Sequence, residues 1–568
     1  MEHHLLGTSL SLLLVMFLFS SILVTSHFPF GRSKQAYTHS NVSCIESERQ
    51  DFLQFKNGLI DESNHLSSWI GDDCCSWEGI GCHKNTGRVV KLDLQNTKPP
   101  FLVNWTNLQY LDLSKNNFSR IQVPTFLGLL KYLRYLNLAN AVFDGEIPRH
   151  LGNLSCLRHL ELGDVNFTSL SSHELGESNF NNYTVPPWLH NLTGLHNLGL
   201  SSNHLSGPIH GLFEQMTSLV YLDLGENRFD ASTLMSLCNV STLNYLDLSF
   251  NDMQGSIPSE IGQLSKLQVL DISSNSLTGS NKLDGSLKSF PSYIYELDLS
   301  QNFLTGHIPL PDVGQTVAST RFLILCDNHF TSSIPEDLCK LENLKYLDLS
   351  NNFLFGRVPL CLGNWLDLRV LNLANNILCG QIPSSLGNLG NLQILDLGDN
   401  GLTDIIPTWI GERLSNLKFL RFQSNNFHGI ISDELCLLSS LRTDLSMHEL
   451  FGAIPESLSA LNWLNFLNLS HSKLSGPIPS GNQIQTLTDP SIYEGNIGLC
   501  GKPLPNDCLE HKLPTENGHI HDDIGHASLI GLGFMLSGYW EFWESFRSRS
   551  HGAMHTLGFW KMPMTKFA

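Results

Sequence analysis

The segment Leu344-Lys345-Tyr346-Leu347-Asp348-Leu349-Ser350-Asn351-Asn352 contains the pattern L-x-x-L-x-L-x-x-N, which recurs along most of the chain. A fixed period in the twenties predicts one supersecondary unit stacked many times, which is a solenoid. Clear copies begin at Leu108, Leu195, Leu219, Leu243, Leu267, Leu344, Leu368, Leu392 and Leu417, and the step from one copy to the next is repeatedly 24 residues. Weaker copies begin at Val89, Leu133, Leu157, Ile294, Thr320, Leu441 and Leu464, which brings the total to about sixteen.

The chemistry of the motif explains its spacing. The last two leucines of L-x-x-L-x-L are two residues apart, as a strand with one buried face requires. We expect the asparagine amide to satisfy backbone groups where the chain leaves the strand, and stacked copies to form a ladder. One coil cannot bury its own leucines, so neighbouring coils must share one core.

Two places depart from the period. Between Leu157 and Leu195 the step is 38 residues, and the extra polar residues near 169–182 are either a contact loop or a tolerated surface insertion. In Leu441-Arg442-Thr443-Asp444-Leu445-Ser446 the motif is one residue short. Because losing one residue reverses the facing of the side chains, we expect one strand there to bulge or break.

Composition narrows the function classes. The 568 residues carry a formal net charge of -19, which argues against a nucleic-acid-binding protein that needs a basic stripe. The sequence has no kinase signature, P-loop or G-x-S-x-G elbow. We therefore expect neither an enzyme nor a bound cofactor or metal.

A second element, L-x-G-x-I-P, follows many of the asparagines, as at Gly306-His307-Ile308-Pro309 and Gly380-Gln381-Ile382-Pro383. With it the sequence resembles the plant-specific class of leucine-rich repeats, over roughly residues 44–508. The segment Cys74-Cys75-Ser76-Trp77 resembles the N-terminal cap of that class, and the segment from Gly495 to Cys508 resembles the C-terminal cap of plant receptor-like proteins.

The resemblance implies the fold class and the disulfides. The fold is an α/β repeat solenoid, a leucine-rich-repeat horseshoe or superhelix with a parallel β-sheet on the concave face and disulfide-stapled caps. The implied disulfides are Cys44–Cys74, Cys75–Cys82 and Cys500–Cys508. The implied domains are an N-terminal cysteine cap (41–84), the repeats (85–482) and a C-terminal cysteine cap (483–509).

The two ends predict targeting segments. Residues 1–26 have the apolar core of a secretory signal, with cleavage placed between Thr25 and Ala36, and an uncleaved signal anchor is the alternative. By resemblance, residues 510–523 are an acidic spacer, 524–540 a degenerate transmembrane segment and 541–568 a short tail. That segment has only 17 residues, whereas a transmembrane helix needs roughly 20, so a secreted protein is the alternative interpretation. Receptor-like proteins also carry a non-repeat island that is missing here, and we hypothesise a deletion at Thr443 and Asp444.

Two columns of side chains are expected on the concave face. One is acidic, and we interpret it as part of the repeat because no unique catalytic pair stands out: Asp112, Asp223, Asp247, Asp271, Asp298, Asp348 and Asp396. The other is aromatic, and its rings either bind a ligand or pack against each other: Tyr110, Tyr135, Tyr221, Tyr245, Phe322, Tyr346, Phe419 and Phe466.

Charges interrupt these columns next to the long step. The candidate ligand-binding residues are therefore Tyr110, Arg134, Tyr135, Arg158, His159, Glu161, Tyr221 and Tyr245. A weaker second set is Arg321, Arg369 and Arg421.

The N-x-S/T sequons fit a secreted, glycosylated surface. They lie at Asn41, Asn104, Asn117, Asn153, Asn166, Asn182, Asn191 and Asn239, with a ninth at Asn468 that falls on a strand and is a poor acceptor.

The resemblance implies an extracellular recognition receptor that lacks a kinase, sits in the cell membrane by one span, and acts in defence or development. Its implied partners are an extracellular peptide or protein ligand and membrane receptor kinases with repeat ectodomains of their own. The alternative is a secreted inhibitor or decoy that binds a microbial glycosidase or another protein. No nucleic acid is expected as a partner.

Overall fold

The computed structural model describes residues 43–57, 66–94, 107–118, 120–143, 145, 147–165, 184–209, 211–279, 290–291, 293–310, 319–438, 441–460, 466–481 and 484–508. The chain divides into two compact units, one formed by His39–Gly429 and the other by Met1–Thr38 with Ile430–Ala568. The predicted signal, the polar loop near 169–182, the acidic spacer, the proposed span and the tail lie outside the described residues.

An aromatic cap begins the first unit. Helix α1 (Glu46–Asn57) places Phe52 against Trp69, with ring centroids 5.5 Å apart, and Trp69 stacks on Trp77 at 5.5 Å. All three side chains are buried. Disulfides Cys44–Cys74 and Cys75–Cys82 close this cap, as the resemblance implied. The cap covers leucines that the first coil would otherwise expose.

A long sheet runs through the first unit. Its first pair is antiparallel and every later pair is parallel. Most strands have three residues, with the central leucine buried and two flanking residues on the strand face. The strands are β1 (Ile80–Cys82), β2 (Val89–Asp93), β3 (Tyr110–Asp112), β4 (Tyr135–Asn137), β5 (His159–Glu161), β6 (Asn197–Gly199), β7 (Tyr221–Asp223), β8 (Tyr245–Asp247), β10 (Val269–Asp271), β12 (Glu296–Asp298), β14 (Phe322–Ile324), β16 (Tyr346–Asp348), β18 (Val370–Asn372), β20 (Ile394–Asp396) and β22 (Phe419–Arg421).

The L-x-G-x-I-P element contributes a second set of strands, two to five residues long, which follow strands of the long sheet in the sequence. Gly380 has φ +82°, a conformation that side chains other than glycine's rarely adopt. These strands are β9 (Gln254–Gly255), β11 (Ser276–Leu277), β13 (Thr305–Gly306), β15 (His329–Phe330), β17 (Phe355–Gly356), β19 (Ile377–Gly380), β21 (Gly401–Ile405) and β23 (Asn426–Gly429). They pair in parallel and form additional short sheets beside the long one.

Short helices form the opposite side of the coils. Proline precedes most of them, because its fixed φ is compatible with entry into a helical turn. The α-helices are α2 (Ala231–Leu237) and α3 (Trp409–Arg413). The 3₁₀ helices are Cys74–Ser76, Thr125–Leu129, Arg149–Asn153, Pro187–Asn191, Ser259–Gln263, Glu336–Lys340, Leu360–Asn364 and Ser384–Asn388.

The asparagine ladder is confirmed, and Asn352 shows how it works. Its Nδ2 donates to the carbonyl oxygens of Leu349 (3.2 Å) and Ser350 (3.0 Å) in its own coil. It also donates to the Leu325 carbonyl of the preceding coil at 3.0 Å, while its Oδ1 accepts from the Phe330 amide at 3.0 Å. Equivalent bonds recur from Asn203 to Asn425. Each asparagine therefore joins two coils through otherwise unpaired backbone groups.

One disulfide inside the repeats was not expected. Cys339 and Cys361 are bonded, and they lie on the 3₁₀ helices Glu336–Lys340 and Leu360–Asn364 of neighbouring coils. Neither cysteine belongs to a cap, so the resemblance implied no partner for either of them. The signal that could have paired them is their sequence separation of 22 residues, which is close to one period of the repeat.

The second unit continues the repeat to a cap. Its strands are β24 (Arg442–Asp444), β25 (Glu449–Gly452), β26 (Leu467–Asn468), β27 (Lys473–Pro477) and β28 (Gly498–Cys500). Its 3₁₀ helices are Asp433–Leu437, Glu456–Ala460, Ile484–Thr486 and Pro490–Tyr493. Strand β27 pairs with β28, and the third implied disulfide, Cys500–Cys508, closes this end.

The expectation of a bulged or broken strand at 441–446 is wrong within this unit. Strand β24 pairs with β26 in regular parallel register, Thr443 with Leu467 and Asp444 with Asn468. Thr443 occupies the buried leucine position, so the missing residue is taken up before the strand and the facing of the side chains is kept. With these parts, the leucine-rich-repeat solenoid predicted from the sequence is confirmed.

Candidate functional site on the strand face

The predicted aromatic column divides into two ring stacks. Tyr110 stacks on Tyr135 with ring centroids 4.1 Å apart, and Tyr135 stacks on His159 at 4.3 Å. Tyr221 stacks on Tyr245 at 4.2 Å. Asn197 of β6 pairs with both His159 and Tyr221, and it separates the two stacks. Rings at this spacing pack face to face in offset stacks and stiffen the sheet.

Burial keeps the imidazole of the first stack neutral. It lowers the pKa of His159 to about 4, because the ring sits among stacked neighbours that cannot solvate a charge. The stack of Tyr110, Tyr135 and His159 is therefore an uncharged platform at neutral pH. Along the same column the rings of Phe322 and Tyr346 are tilted and 6.4 Å apart, so they do not continue it.

The acidic column shapes the turns after the strands. Asp271 Oδ1 accepts from the Ser273 amide at 2.9 Å, and Asp298 Oδ1 from the Ser300 amide at 2.7 Å. The other members make the same bond to the amide two residues on. Burial raises the pKa of Asp298 to about 7. Because every acid of the column accepts the same hydrogen bond from the backbone, none is distinguished as a catalytic group.

Glu161 lies in a gap that a glycine provides. A Cβ on Gly199 of the neighbouring strand would meet the carboxylate of Glu161 far inside contact distance. Burial raises the pKa of Glu161 to about 7. The glutamate is thus packed into the sheet rather than extended from it.

The arginines of the first candidate set are exposed. Arg134 and Arg158 immediately precede β4 and β5, and the Arg158 amide donates to the Arg134 carbonyl at 2.8 Å. The Arg158 guanidinium donates to the Gly194 carbonyl at 2.7 Å. These two cations flank the ring stack and face solvent.

The second candidate set does not stay together. Arg421 lies inside β22, and its guanidinium pairs with Asp399 at 2.5 Å and with Asp396 at 3.5 Å. Arg321 and Arg369 instead immediately precede β14 and β18. The structure adds Lys345 between them, in the equivalent place before β16, which the sequence analysis missed.

These arginines belong to a longer line of residues, which we call the pre-strand row. It consists of the residue immediately before each strand of the long sheet from β3 to β22: Gln109, Arg134, Arg158, His196, Val220, Asn244, Gln268, Tyr295, Arg321, Lys345, Arg369, Gln393 and Lys418. Each amide after the first donates to the carbonyl of the row residue before it, at 2.7–2.9 Å. Every member is at least partly exposed. Not one is acidic, although the chain has 53 Asp and Glu against 34 Lys and Arg.

The described sequons lie away from the first unit's strand face. Asn153 and Asn191 end 3₁₀ helices on the opposite side of the coils, and Asn239 follows α2. Asn117 comes after the ladder asparagine Asn116, and all four sequon side chains are exposed. Asn468 lies on β26 of the second unit, where its amide donates to Asp444 at 3.3 Å. Asn41, Asn104, Asn166 and Asn182 lie outside the described residues.

Two further features bear on the site. Among the described residues the sole close group of potential metal ligands is Cys44, Cys74 and Cys75, and disulfides occupy these sulfurs. The described part of the chain contains no helix with the length and hydropathy to cross a membrane.

Comparisons with known families agree with the fold. A leucine-rich-repeat N-terminal domain matches residues 45–83, and leucine-rich repeats match residues 106–166, 242–264, 319–341, 343–365, 367–389 and 391–412. None of these family descriptions names a catalytic domain. The matched models therefore support a cap followed by repeats.

Relatives in sequence are plant receptor-like proteins. Receptor-like protein EIX1 of Solanum lycopersicum is 33% identical over 256 residues, covering 38% of this chain and 24% of the relative. Receptor-like protein EIX2 of the same plant is 45% identical over 123 residues, covering 18% and 12%. The chain thus matches a quarter or less of the length of these relatives.

Among solved structures, a plant peptide hormone receptor, RGFR1 in complex with RGF2, is similar at 28% identity with a TM-score of 0.56, covering 70% of this chain and 64% of that one. The LRR protein LIC12759 of Leptospira interrogans has 26% identity and a TM-score of 0.52, covering 68% and 91%. The chain therefore contains leucine-rich repeats after a matching N-terminal domain, and it is similar in sequence to plant receptor-like proteins over part of their length.

Proposed function

We propose that this chain is an extracellular recognition protein that binds a peptide or protein ligand along its strand face. The observation that carries the proposal is the pre-strand row, which is at least partly exposed and free of acids and lies beside the ring stacks and the turn-capping aspartates of the strands. The side chains of this row can contact a ligand and the stacked rings beside them offer it a rigid surface, whereas the turn-capping acids are held by hydrogen bonds to the backbone. The complex of RGFR1 with RGF2 supports a peptide as the ligand.

The proposed contact region is the first candidate set. Tyr110, Tyr135 and His159 would form its floor, and Arg134 with Arg158 would contact the ligand from the adjoining row. Tyr221 and Tyr245 would extend the floor beyond Asn197, and Glu161 would hold the first strands in place. A rigid aromatic floor loses little entropy when a ligand binds it.

In a cell, we propose that the chain acts as a receptor-like protein in defence or developmental signalling. It would sit in the plasma membrane through residues 524–540 and signal through partner receptor kinases that have repeat ectodomains. The receptor-like relatives support this role.

The test uses the tagged full chain in leaf cells, challenged with size-fractionated extracellular peptides while calcium influx is recorded. Its strand-face variant is Arg134→Glu with Arg158→Glu. The matched control, Lys131→Glu with Arg149→Glu, carries the same charge change at two exposed cations off the row.

We expect a response that requires the chain, persists in the control and is lost in the strand-face variant. No chain-dependent response, or equal loss in both variants, would refute the proposal. Membrane fractionation of the same cells tests the anchor: recovery in the detergent-soluble membrane fraction supports it, and free release into the extracellular fluid favours the inhibitor or decoy.

A further inference from the structure

We propose that Arg321, Lys345 and Arg369 read an acidic, extended peptide segment, so that the ligand of the strand face is anionic where it crosses these coils. The inference rests on the proposed function, because it names the chemistry of the ligand that the strand face would bind. It adds a second contact region to the one at Arg134 and Arg158, farther along the same row.

The backbone holds the three cations side by side. The Lys345 amide donates to the Arg321 carbonyl at 2.8 Å, and the Arg369 amide donates to the Lys345 carbonyl at 2.9 Å. The strands that follow them pair in strict register, Phe322 with Tyr346 and Tyr346 with Val370. Three successive coils therefore present one cation each at the same height, about 4.8 Å apart.

Two of the three cations form no ion pair in the part of the chain that the structure describes. Among the described residues, neither Arg321 nor Lys345 is within ion-pair distance of a carboxylate. Partial burial and the two flanking guanidiniums lower the pKa of Lys345, and the smaller opposing effect of the Asp367 carboxylate does not reverse this direction. The guanidinium of Arg321 lies over the ring of Tyr295, 5.4 Å from its centroid, which fixes the charge in place. The protein thus keeps three like charges together, an arrangement that a bound anion would relieve.

The charge of these coils is opposite to that of the molecule. The chain carries a formal net charge of -19, so clustered cations are not a by-product of composition. A local positive stripe steers anionic ligands and suppresses cationic ones.

The same coils are free of glycan signals. The sequons at Asn41 to Asn239 precede them, and the next in the sequence is Asn468. No N-linked glycan can therefore attach to the coils that carry the three cations, and a large ligand has unobstructed access.

The spacing selects an extended segment. Two steps of about 4.8 Å equal the advance of about three residues in an extended chain, at roughly 3.3 Å per residue. A run of four acidic residues is long enough to span all three cations. A compact anion such as phosphate would reach one or two of them.

The test measures binding of a fluorescein-labelled octaglutamate peptide to the purified full chain by fluorescence anisotropy. The row variant is Arg321→Gln with Lys345→Gln and Arg369→Gln. The control variant is Lys131→Gln with Arg149→Gln and Lys266→Gln, which removes the same number of exposed cations away from the row. Octalysine and inorganic phosphate are the competitor probes.

We expect the native chain and the control to bind octaglutamate, and the row variant to bind at least about tenfold more weakly. Raising the salt from about 50 to about 300 mM should weaken native binding strongly. Equal loss in both variants, no binding by the native chain, equal binding of octalysine, or full competition by phosphate at a concentration equal to that of the peptide would overturn the inference. If the native chain does not bind octaglutamate while the calcium response still depends on Arg134 and Arg158, the proposed function stands and the inference of an acidic ligand is wrong.

Discussion

On the strand face of the first unit, residues within the strands hold the sheet together, whereas residues of the pre-strand row are available to a ligand. Within the strands, side chains pack against their neighbours in adjacent strands. Tyr135 is stacked between Tyr110 and His159, and Glu161 fills the space above Gly199. In the pre-strand row, Lys345 has cations on both sides and no described acid within ion-pair distance. The difference teaches that a residue type repeated at one motif position builds the stack. A row that avoids one charge entirely is available for recognition.

We expect the largest loss of stability when an asparagine of the ladder is replaced. Replacing Asn352 with alanine removes three donated hydrogen bonds and the acceptor of the Phe330 amide, all buried. We expect the free energy of unfolding to fall by about 3–5 kcal/mol in urea titrations. Asn364→Ala, an exposed asparagine in the same coil, is the control and should change it by less than about 0.5 kcal/mol. Equal effects of the two would contradict a structural ladder.

Buried strand acids should make stability depend on pH. Burial and the nearby Asp298 raise the pKa of Glu296 to about 8, and neither of its carboxyl oxygens has a hydrogen-bond partner in the described structure. A raised folded-state pKa stabilises the protein below its unfolded value of about 4.5, and this gain is lost as pH rises to about 8. Melting temperatures measured from pH 5 to pH 8 should therefore fall.

The variant Glu296→Gln isolates this contribution. It should raise the melting temperature at pH 8 and have little effect at pH 5, because the protonated acid is already neutral there. Glu342→Gln, at an exposed position, controls for the loss of one negative charge. A melting temperature for Glu296→Gln that is unchanged at pH 8 would argue against a buried, unpaired carboxylate.

The disulfide between neighbouring coils should contribute less. Cys339 and Cys361 close a loop with a sequence separation of 22 residues. Replacing Cys361 with serine should lower the free energy of unfolding by about 2–3 kcal/mol, since the unfolded chain regains loop entropy. Cys379→Ser, an exposed free thiol in the next coil, serves as the control. Loss of stability in the control alone would contradict the assigned pairing.

The smallest effect separates two arginines that the sequence analysis grouped together. Arg421→Gln leaves the buried carboxylate of Asp396 without its cation, and we expect a loss of about 1–2 kcal/mol. Arg369→Gln, in the pre-strand row, should change the free energy of unfolding by less than about 0.5 kcal/mol. A larger loss of stability for Arg369→Gln than for Arg421→Gln would show that the row stabilises the fold.

Most of the fold followed from the sequence because backbone hydrogen bonding dictates it. Leucine spacing predicts the strands, and the ladder asparagines predict the stacking. The cysteine pairs of the caps came only from the resemblance to receptor-like proteins. These features repeat, so one correct coil predicts its neighbours.

The candidate site was harder to predict because it is formed by residues of different coils, which become neighbours only in the folded protein. Lys345 becomes a neighbour of Arg321 and Arg369 only when coils are stacked in register. Arg421 differs from Arg369 by its place inside a strand, where Asp396 and Asp399 reach it. Likewise, the short motif near Thr443 is absorbed before the strand, and a count of residues alone does not show where.

The most direct measurement takes the triple variant Arg321→Gln, Lys345→Gln and Arg369→Gln and determines its urea unfolding and its octaglutamate affinity on one preparation. We predict that the free energy of unfolding stays within about 0.5 kcal/mol of the native value while affinity falls at least about tenfold. Unfolding at much lower urea with unchanged affinity would mean that these cations hold the coils together, and the division of duties on the strand face would be wrong.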